Sequence, residues 1–206
     1  DLSALRSEVE AGRVAALYVF DPGPEGTLGD VSWLIPARQS GRLPLLVYQG
    51  VLDNDLSRAA DIVLPGSAWV EKDGTYTNSE RRVSRVNRAV EPPGEARADF
   101  DIFLDLAAAL GCRDDLFPGW TTPSDAFEEW KRVSAGRLCD YSGMTYDAMD
   151  AVGGIQWPYP EGATDAAATR RLYGDGQFQT DDGRARLIPT KWEPFPEPPN
   201  EEFPFV

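Results

Sequence analysis

Residues 59–111 read AADIVLPGSAWVEKDGTYTNSERRVSRVNRAVEPPGEARADFDIFLDLAAALG, and this stretch decides the fold. It opens on Asp61-Ile62-Val63-Leu64, a short β-branched run stopped by Pro65-Gly66, which predicts a buried strand. Trp69-Val70-Glu71-Lys72 and Thr75-Tyr76-Thr77-Asn78 flank Asp73-Gly74. That pair predicts a hairpin or tight loop, because glycine tolerates positive φ. Pro92-Pro93-Gly94 closes the excursion. A helix is then predicted over 99–110, with Phe100, Phe103, Leu104, Ala107 and Leu110 on one face and Gly111 as its cap.

Toward the N-terminus, Leu2, Leu5 and Val9 predict a helix over 2–11 ended by Gly12. Residues 14–20, VAALYVF, are apolar on both faces, as a central parallel strand is. A helix is predicted over 28–40 with Val31, Leu34 and Ile35 inward and a kink at Pro36. Residues 44–51 predict the second strand, and 53–60 a connector or helical turn. This order predicts an α/β fold: a parallel, doubly wound, Rossmann-like sheet with helices on both faces. In such sheets ligands sit beyond the carboxyl ends of the strands. The loop 21–26 after the first strand, with Asp21, is therefore a candidate; it lacks G-x-G-x-x-G and reads equally as a rigid turn.

Toward the C-terminus, Thr122-Pro123-Ser124-Asp125 starts a helix with Phe127, Trp130 and Val133 inward. Thr145 starts a short helix closed by Gly153-Gly154, and Ile155-Gln156-Trp157-Pro158 is extended. Residues 161–169 predict an exposed loop. Arg171-Leu172-Tyr173 and Gly176-Gln177-Phe178 predict short extended pieces, Asp182-Gly183 a turn, and 194–204 an acidic, proline-rich linker.

Composition narrows the chemistry. The 206 residues carry a formal charge of −14, which argues against a nucleic-acid partner. No apolar run approaches the roughly 20 residues of a membrane span, so no direct membrane insertion is expected. The chain has no histidine and two cysteines, Cys112 and Cys139. Ser-His-Asp and Cys-His catalysis and histidine metal sites are thereby excluded within it. Two cysteines are too few for an iron–sulfur cluster, which takes about four. No catalytic residue and no metal ligand is expected here. The basic run 81–88 reads either as a solvated strand face paired with Glu71, Glu80 and Glu91 or as an anion contact.

One ordered pattern carries a resemblance. It comprises Ala60-Asp61-Ile62-Val63-Leu64-Pro65, residues 69–75 (WVEKDGT), Thr77-Asn78, Glu80-Arg81-Arg82-Val83, residues 90–96 (VEPPGEA) and 99–103 (DFDIF). Residues 153–158 (GGIQWP) and 180–189 (TDDGRARLIP) extend it. The chain resembles the molybdopterin-dependent oxidoreductases of the dimethyl sulfoxide reductase family. That family includes formate dehydrogenases, nitrate reductases and the large iron–sulfur subunit of complex I. The resemblance implies that Gln49, Gly50 and Asn54 lie where relatives hold the guanosine end of molybdopterin guanine dinucleotide, and that Asp21, in the Asp-Pro that relatives also carry after the first strand, is a further cofactor-binding candidate. Relatives carry Gln-Asp and a Thr at the first three positions, and a glycine at the place of Val19.

These departures resemble the complex I branch, where the fold is kept and the molybdenum site is not. The first expectation is thus a fragment acting in electron transfer, similar to the large subunit of NADH-quinone oxidoreductase, with a degenerate pterin pocket. The alternatives are a fragment of an active molybdenum enzyme of formate dehydrogenase or nitrate reductase type, and a non-catalytic α/β binding module. The resemblance further implies an α/β dinucleotide-site domain over 1–111, a helix and hairpin extension over 112–192, and a linker over 193–206 toward an absent C-terminal β-barrel. It implies an iron–sulfur cluster only in a preceding N-terminal part. The partners it implies are the other domains of the same polypeptide and further electron-transfer subunits. The implied location is cytoplasmic, peripheral to the inner membrane through those subunits.

Overall fold

The computed structural model describes residues 2–20, 29–192, 199–201 and 204. Asp21 and its loop, and much of the predicted linker, lie outside the described residues. Contacts divide the chain into two compact units, residues 1–168 and 169–206.

The first unit begins with α1 (Leu2–Glu10), β1 (Ala16–Phe20), α2 (Leu34–Gln39), β2 (Leu45–Gly50), α3 (Asp55–Ala59) and β3 (Ile62–Pro65). The strands form a parallel sheet in the order β1-β2-β3, with Val19 opposite Tyr48 and Tyr48 opposite Val63. The predicted α/β class is the observed one. β1 is nevertheless at an edge of this three-stranded sheet and β2 at its centre, so the position predicted for β1 is corrected. The helix predicted over 28–40 begins only at Leu34. Pro36 lies in its first turn, where no amide donor is required, so it imposes no kink.

Strand alternation assigns the two faces. Val19, Leu46 and Tyr48 pack with Val9, Trp33, Leu34, Leu43 and Leu56 in one apolar core. Tyr18 and Phe20 instead meet Phe103 of α4 (Asp99–Ala109), with ring centroids 6.3 and 5.3 Å apart. Helices therefore cover both faces. The predicted inward face of α4 is partly corrected: Ile102, Leu104 and Ala107 are buried, Phe100 stacks on Trp120, and Leu110 is 71% exposed. Gly111 caps α4 at φ +73, as its spacing predicts.

One ion pair ties α2 to the start of β3. Arg38 Nε donates to Asp61 Oδ2 at 2.6 Å, and the same oxygen accepts from the Leu46 amide at 2.8 Å. The Arg38 guanidinium first, and the Leu46 amide second, hold the Asp61 carboxyl down at about 2. The folded value lies below the unfolded one, so the stabilisation is complete above roughly pH 4 and is lost as pH falls toward 2. Asp61→Asn is expected to speed amide exchange in β2 and α2 at pH 6. The difference from wild type should vanish near pH 2; hydrogen exchange across that range checks both ends.

A second core follows. β4 (Gly74–Thr77) pairs antiparallel with β5 (Arg82–Val86), and β5 pairs with β6 (Ile155–Gln156). The hairpin turn is at Asn78–Arg81, closed by the Arg81 amide on the Asn78 carbonyl at 3.0 Å, and not at Asp73-Gly74. Trp69–Glu71 form a 3₁₀ turn instead of a strand. After α5 (Arg113–Leu116), α6 (Pro123–Ser134) and α7 (Tyr146–Val152) close over this hairpin. The core holds Val83, Phe127, Tyr141, Met144, Met149, Ile155 and Tyr159. Thr122 and Asp125 form the predicted capping box. Of the predicted inward residues Phe127 is buried, while Trp130 and Val133 are only partly covered, Trp130 by an edge contact with Tyr141.

The basic run is used inside this unit. Arg81 donates to the Trp157 carbonyl at 2.5 Å, and Arg82 to Glu80 at 2.6 Å and the Gly154 carbonyl at 2.9 Å. Arg85 lies 3.9 Å over the Tyr146 ring, and Arg88 pairs with Glu91 at 3.2 Å.

The second unit has no strand or helix among its described residues, so the predicted extended pieces at 171–173 and 176–178 are not strands: a turn begins at Leu172, and Gln177 and Phe178 are irregular. Gly183 makes the predicted turn at φ +69, its amide on the Thr180 carbonyl at 3.0 Å.

Candidate functional site

The carboxyl ends of β2 and β3 gather most of the residues singled out by sequence. Gln49 is completely buried there, facing α4. Tyr18 donates to its Oε1, and its Nε2 donates to Asp99 Oδ1 at 2.7 Å. Lys72 Nζ binds the other Asp99 oxygen. The chain Tyr18–Gln49–Asp99–Lys72 joins the sheet edge to the WVEKDGT loop. Burial first, and the Asp99 charge second, push the Tyr18 phenol up. Gln49 is thus engaged within the protein on both ends of its amide.

Gly50 closes β2 on the opposite face. Its carbonyl accepts the Gly66 amide at 2.9 Å, which brings β3's exit against it. A Cβ at position 50 would lie 2.5 Å from the Tyr48 hydroxyl oxygen. Asn54 is the N-cap of α3: its Oδ1 accepts from the Ser57 amide at 2.9 Å, and its Nδ2 donates to the Tyr48 hydroxyl at 2.9 Å. That hydroxyl donates to the Leu52 carbonyl at 3.2 Å. Gln49, Gly50 and Asn54 are therefore brought to one strand end. Asp21 lies outside the described residues.

A cleft of about 390 Å³ opens beside them, lined by Gly50, Val51, Leu52, Asp53, Arg58 and Val63 among others. Its volume is within the range of small-molecule sites. Asp53 is the residue sequence reasoning passed over. Hydrogen bonds from Ser57 first and Arg58 second hold its carboxyl below the usual range. The Asp53-Asn54-Asp55 run signals a helix start, and that capping role masked the carboxylate beside it. Ser67, two residues beyond β3, is completely buried, and its hydroxyl has no partner among the described residues. Among the described residues no cluster of carboxylates and thiols could hold a metal ion, and no helix is long and apolar enough to cross a membrane.

The edge offers what the nucleoside end of the cofactor implied by the resemblance would need: a cleft at strand ends, an apolar wall at Val51, Leu52 and Val63, and a carboxylate acceptor on its lining. It fits with different contact groups from those the resemblance implies, because the residues at 49, 50 and 54 are spent internally.

Comparisons with known proteins agree with this architecture. The sequence profile of the family described as "Molybdopterin oxidoreductase" matches residues 3–109. The F420-dependent formate dehydrogenase subunit alpha of Methanocaldococcus jannaschii is 35% identical over 198 residues, covering 96% of this chain and 28% of the relative. The assimilatory nitrate reductase catalytic subunit of Bacillus subtilis is 35% identical over 201 residues, covering 97% of this chain and 28% of the relative. The assimilatory nitrate reductase of Haloferax mediterranei is 34% identical, over 90% and 28% respectively. The chain thus spans a little over a quarter of the length of these relatives. Among solved structures, acetylene hydratase from Pelobacter acetylenicus superposes with a TM-score of 0.51 at 21% identity, over 61% of this chain and 18% of that one, a likeness of fold. With its parallel sheet, its strand-end cleft and these matches, the chain belongs to the molybdopterin oxidoreductase family.

Proposed function

We propose that this chain is the segment of a molybdopterin oxidoreductase large subunit that closes over the nucleotide end of its cofactor, in an enzyme of formate dehydrogenase or nitrate reductase type. The observation that carries the reading is the length of the match: 96–97% of the chain aligns with such subunits at 35% identity, across both cores. The cleft at the ends of β2 and β3 supplies the place. The bound cofactor would supply the redox chemistry. The residues of this chain bind and orient its nucleotide end, and the Tyr18–Gln49–Asp99–Lys72 chain keeps that edge rigid.

The guanine dinucleotide form, an iron–sulfur cluster in a preceding part of the polypeptide, further electron-transfer subunits and a cytoplasmic location belong to the same proposal. So does the division into 1–111, 112–192 and a linker leading to a β-barrel. The NADH-quinone oxidoreductase reading is the second one. It is favoured by Gly50, whose side-chain space the Tyr48 phenol fills, and by the inward bonds of Asn54.

Metal and pterin analysis of the full-length polypeptide separates the two. Stoichiometric molybdenum or tungsten with a pterin is the expected result. A well-folded protein with electron-transfer clusters but neither metal nor pterin would select the second reading.

A further inference from the structure

The nucleotide edge has lost its acceptor at one position and holds another nearby. Tyr48 and Gly50 are two residues apart and share a face of β2. A Cβ at position 50 would stand 2.5, 2.8 and 2.9 Å from the Oη, Cζ and Cε1 of Tyr48. The phenol therefore occupies the volume that a longer side chain at 50 would need. It is almost completely buried and bonded to Asn54 and Leu52, so it is not free to swing away. Position 50 presents no side-chain acceptor, and Asn54 offers only a single neutral oxygen, which already accepts from the Ser57 amide, not two parallel charged acceptors.

Asp53 supplies what these two do not. Its side chain is 70% exposed and lines the same cleft as Gly50, Val51 and Leu52. Ser57 Oγ donates to its Oδ1 at 2.7 Å, and Arg58 Nη2 to its Oδ2 at 3.0 Å. Each oxygen thus has one internal bond that fixes the plane of the carboxylate. A carboxylate has about four acceptor positions, so one on each oxygen remains. Two parallel acceptors match a ligand edge with two adjacent N–H donors. Among nucleobases that edge is guanine's, with its ring N–H beside its exocyclic amine. Adenine and cytosine do not offer two adjacent donors.

We infer that Asp53 is the residue that receives the guanine base of the cofactor, taking over at the helix entrance the acceptor role that position 50 has given up. The inference rests on the proposed reading that a pterin dinucleotide lies at this strand edge. Ser57 and Arg58 act as positioning residues for the carboxylate.

The test uses the full-length polypeptide purified with its cofactor. Nucleotide retained after gel filtration is released by acid and identified by chromatography. Wild type is expected to yield guanosine monophosphate. Asp53→Ala is expected to retain roughly 10- to 100-fold less, because a charge-assisted pair of hydrogen bonds is lost. Asp53→Glu should recover part of it. Asp55→Ala, which removes a carboxylate on the same Arg58 but outside the cleft, should retain as much as wild type. Wild-type retention in Asp53→Ala overturns the inference while the proposed function stands. Equal losses in Asp53→Ala and Asp55→Ala also overturn it, since they would trace the effect to loosening of α3. Release of adenosine or cytidine monophosphate from wild type overturns the guanine assignment. Absence of any nucleotide from wild type removes the proposed function itself.

Discussion

Replacing Gly154 with alanine is expected to cost about 3 kcal/mol at the second core, one of the largest effects of any single methyl group in this chain. Two causes combine. Gly154 has φ +116, a backbone conformation that side chains rarely adopt. Its Cβ would also lie 2.4 Å from Ser84 Oγ and 3.0 Å from both Arg82 Cγ and the Val83 carbonyl oxygen. Ser84 can rotate, but the Val83 carbonyl belongs to β5 and cannot. The strand pair Val83–Ile155 and the Arg82 bond to the Gly154 carbonyl would both be displaced. Hydrogen exchange in the full-length protein should show roughly 100-fold less protection in peptides covering 82–86 and 154–157. Gly153→Ala is the comparison: its φ is +71, but nothing lies within 4 Å, so only about 1–2 kcal/mol of strain is expected. Equal effects at 153 and 154 would contradict the close approach of β5.

The second large effect is expected at Asp99. Its carboxylate accepts from Gln49 Nε2 and from Lys72, with side chains 22% and 28% exposed for Asp99 and Lys72. Asp99→Ala leaves the fully buried Gln49 amide without that acceptor and the Lys72 ammonium without its counter-charge. Such losses cost about 1–3 kcal/mol for the amide, with a partly solvated share for the ion pair. A total near 3 kcal/mol is expected, read as faster exchange at the end of β2 and in residues 66–73. Asp99→Asn keeps an acceptor for Gln49 and should lose less than half as much. If Asn and Ala behave alike, the ion pair and not the Gln49 bond holds the edge. The Asp99→Ala, Lys72→Met double variant should cost less than the two single changes added together.

Much of this architecture is legible in local patterns. Ile62–Pro65 is a strand because β-branched residues run up to Pro65-Gly66, although Ile62 and Val63 are about half exposed and not buried as predicted, and α6 starts at Thr122-Pro123 because its cap chemistry is local. The errors share one cause: they concern partners that local pattern does not name. Asp73-Gly74 has turn chemistry, yet the turn is at Asn78–Arg81, where the Asn78 side chain accepts from the Glu80 and Arg82 amides at 3.0 Å. Leu110 and Trp130 fall on apolar helical faces, yet Leu110 is 71% exposed and Trp130 keeps 47% exposure with one edge against Tyr141. The site was legible as a place but not as a set of contacts. Gln49, Gly50 and Asn54 do converge, but their bonding depends on Tyr48, Asp99 and Tyr18. Nothing in the spacing of residues 49 and 99 announces a hydrogen bond.

The measurement that bears most directly on the central claim is an experimental structure of the full-length polypeptide with its cofactor bound. The account expects nucleotide density beyond the ends of β2 and β3, with the base within hydrogen-bond distance of Asp53 and against Val51 and Leu52. A structure in which another stretch of the same polypeptide fills that cleft, and the nucleotide lies elsewhere, would contradict it.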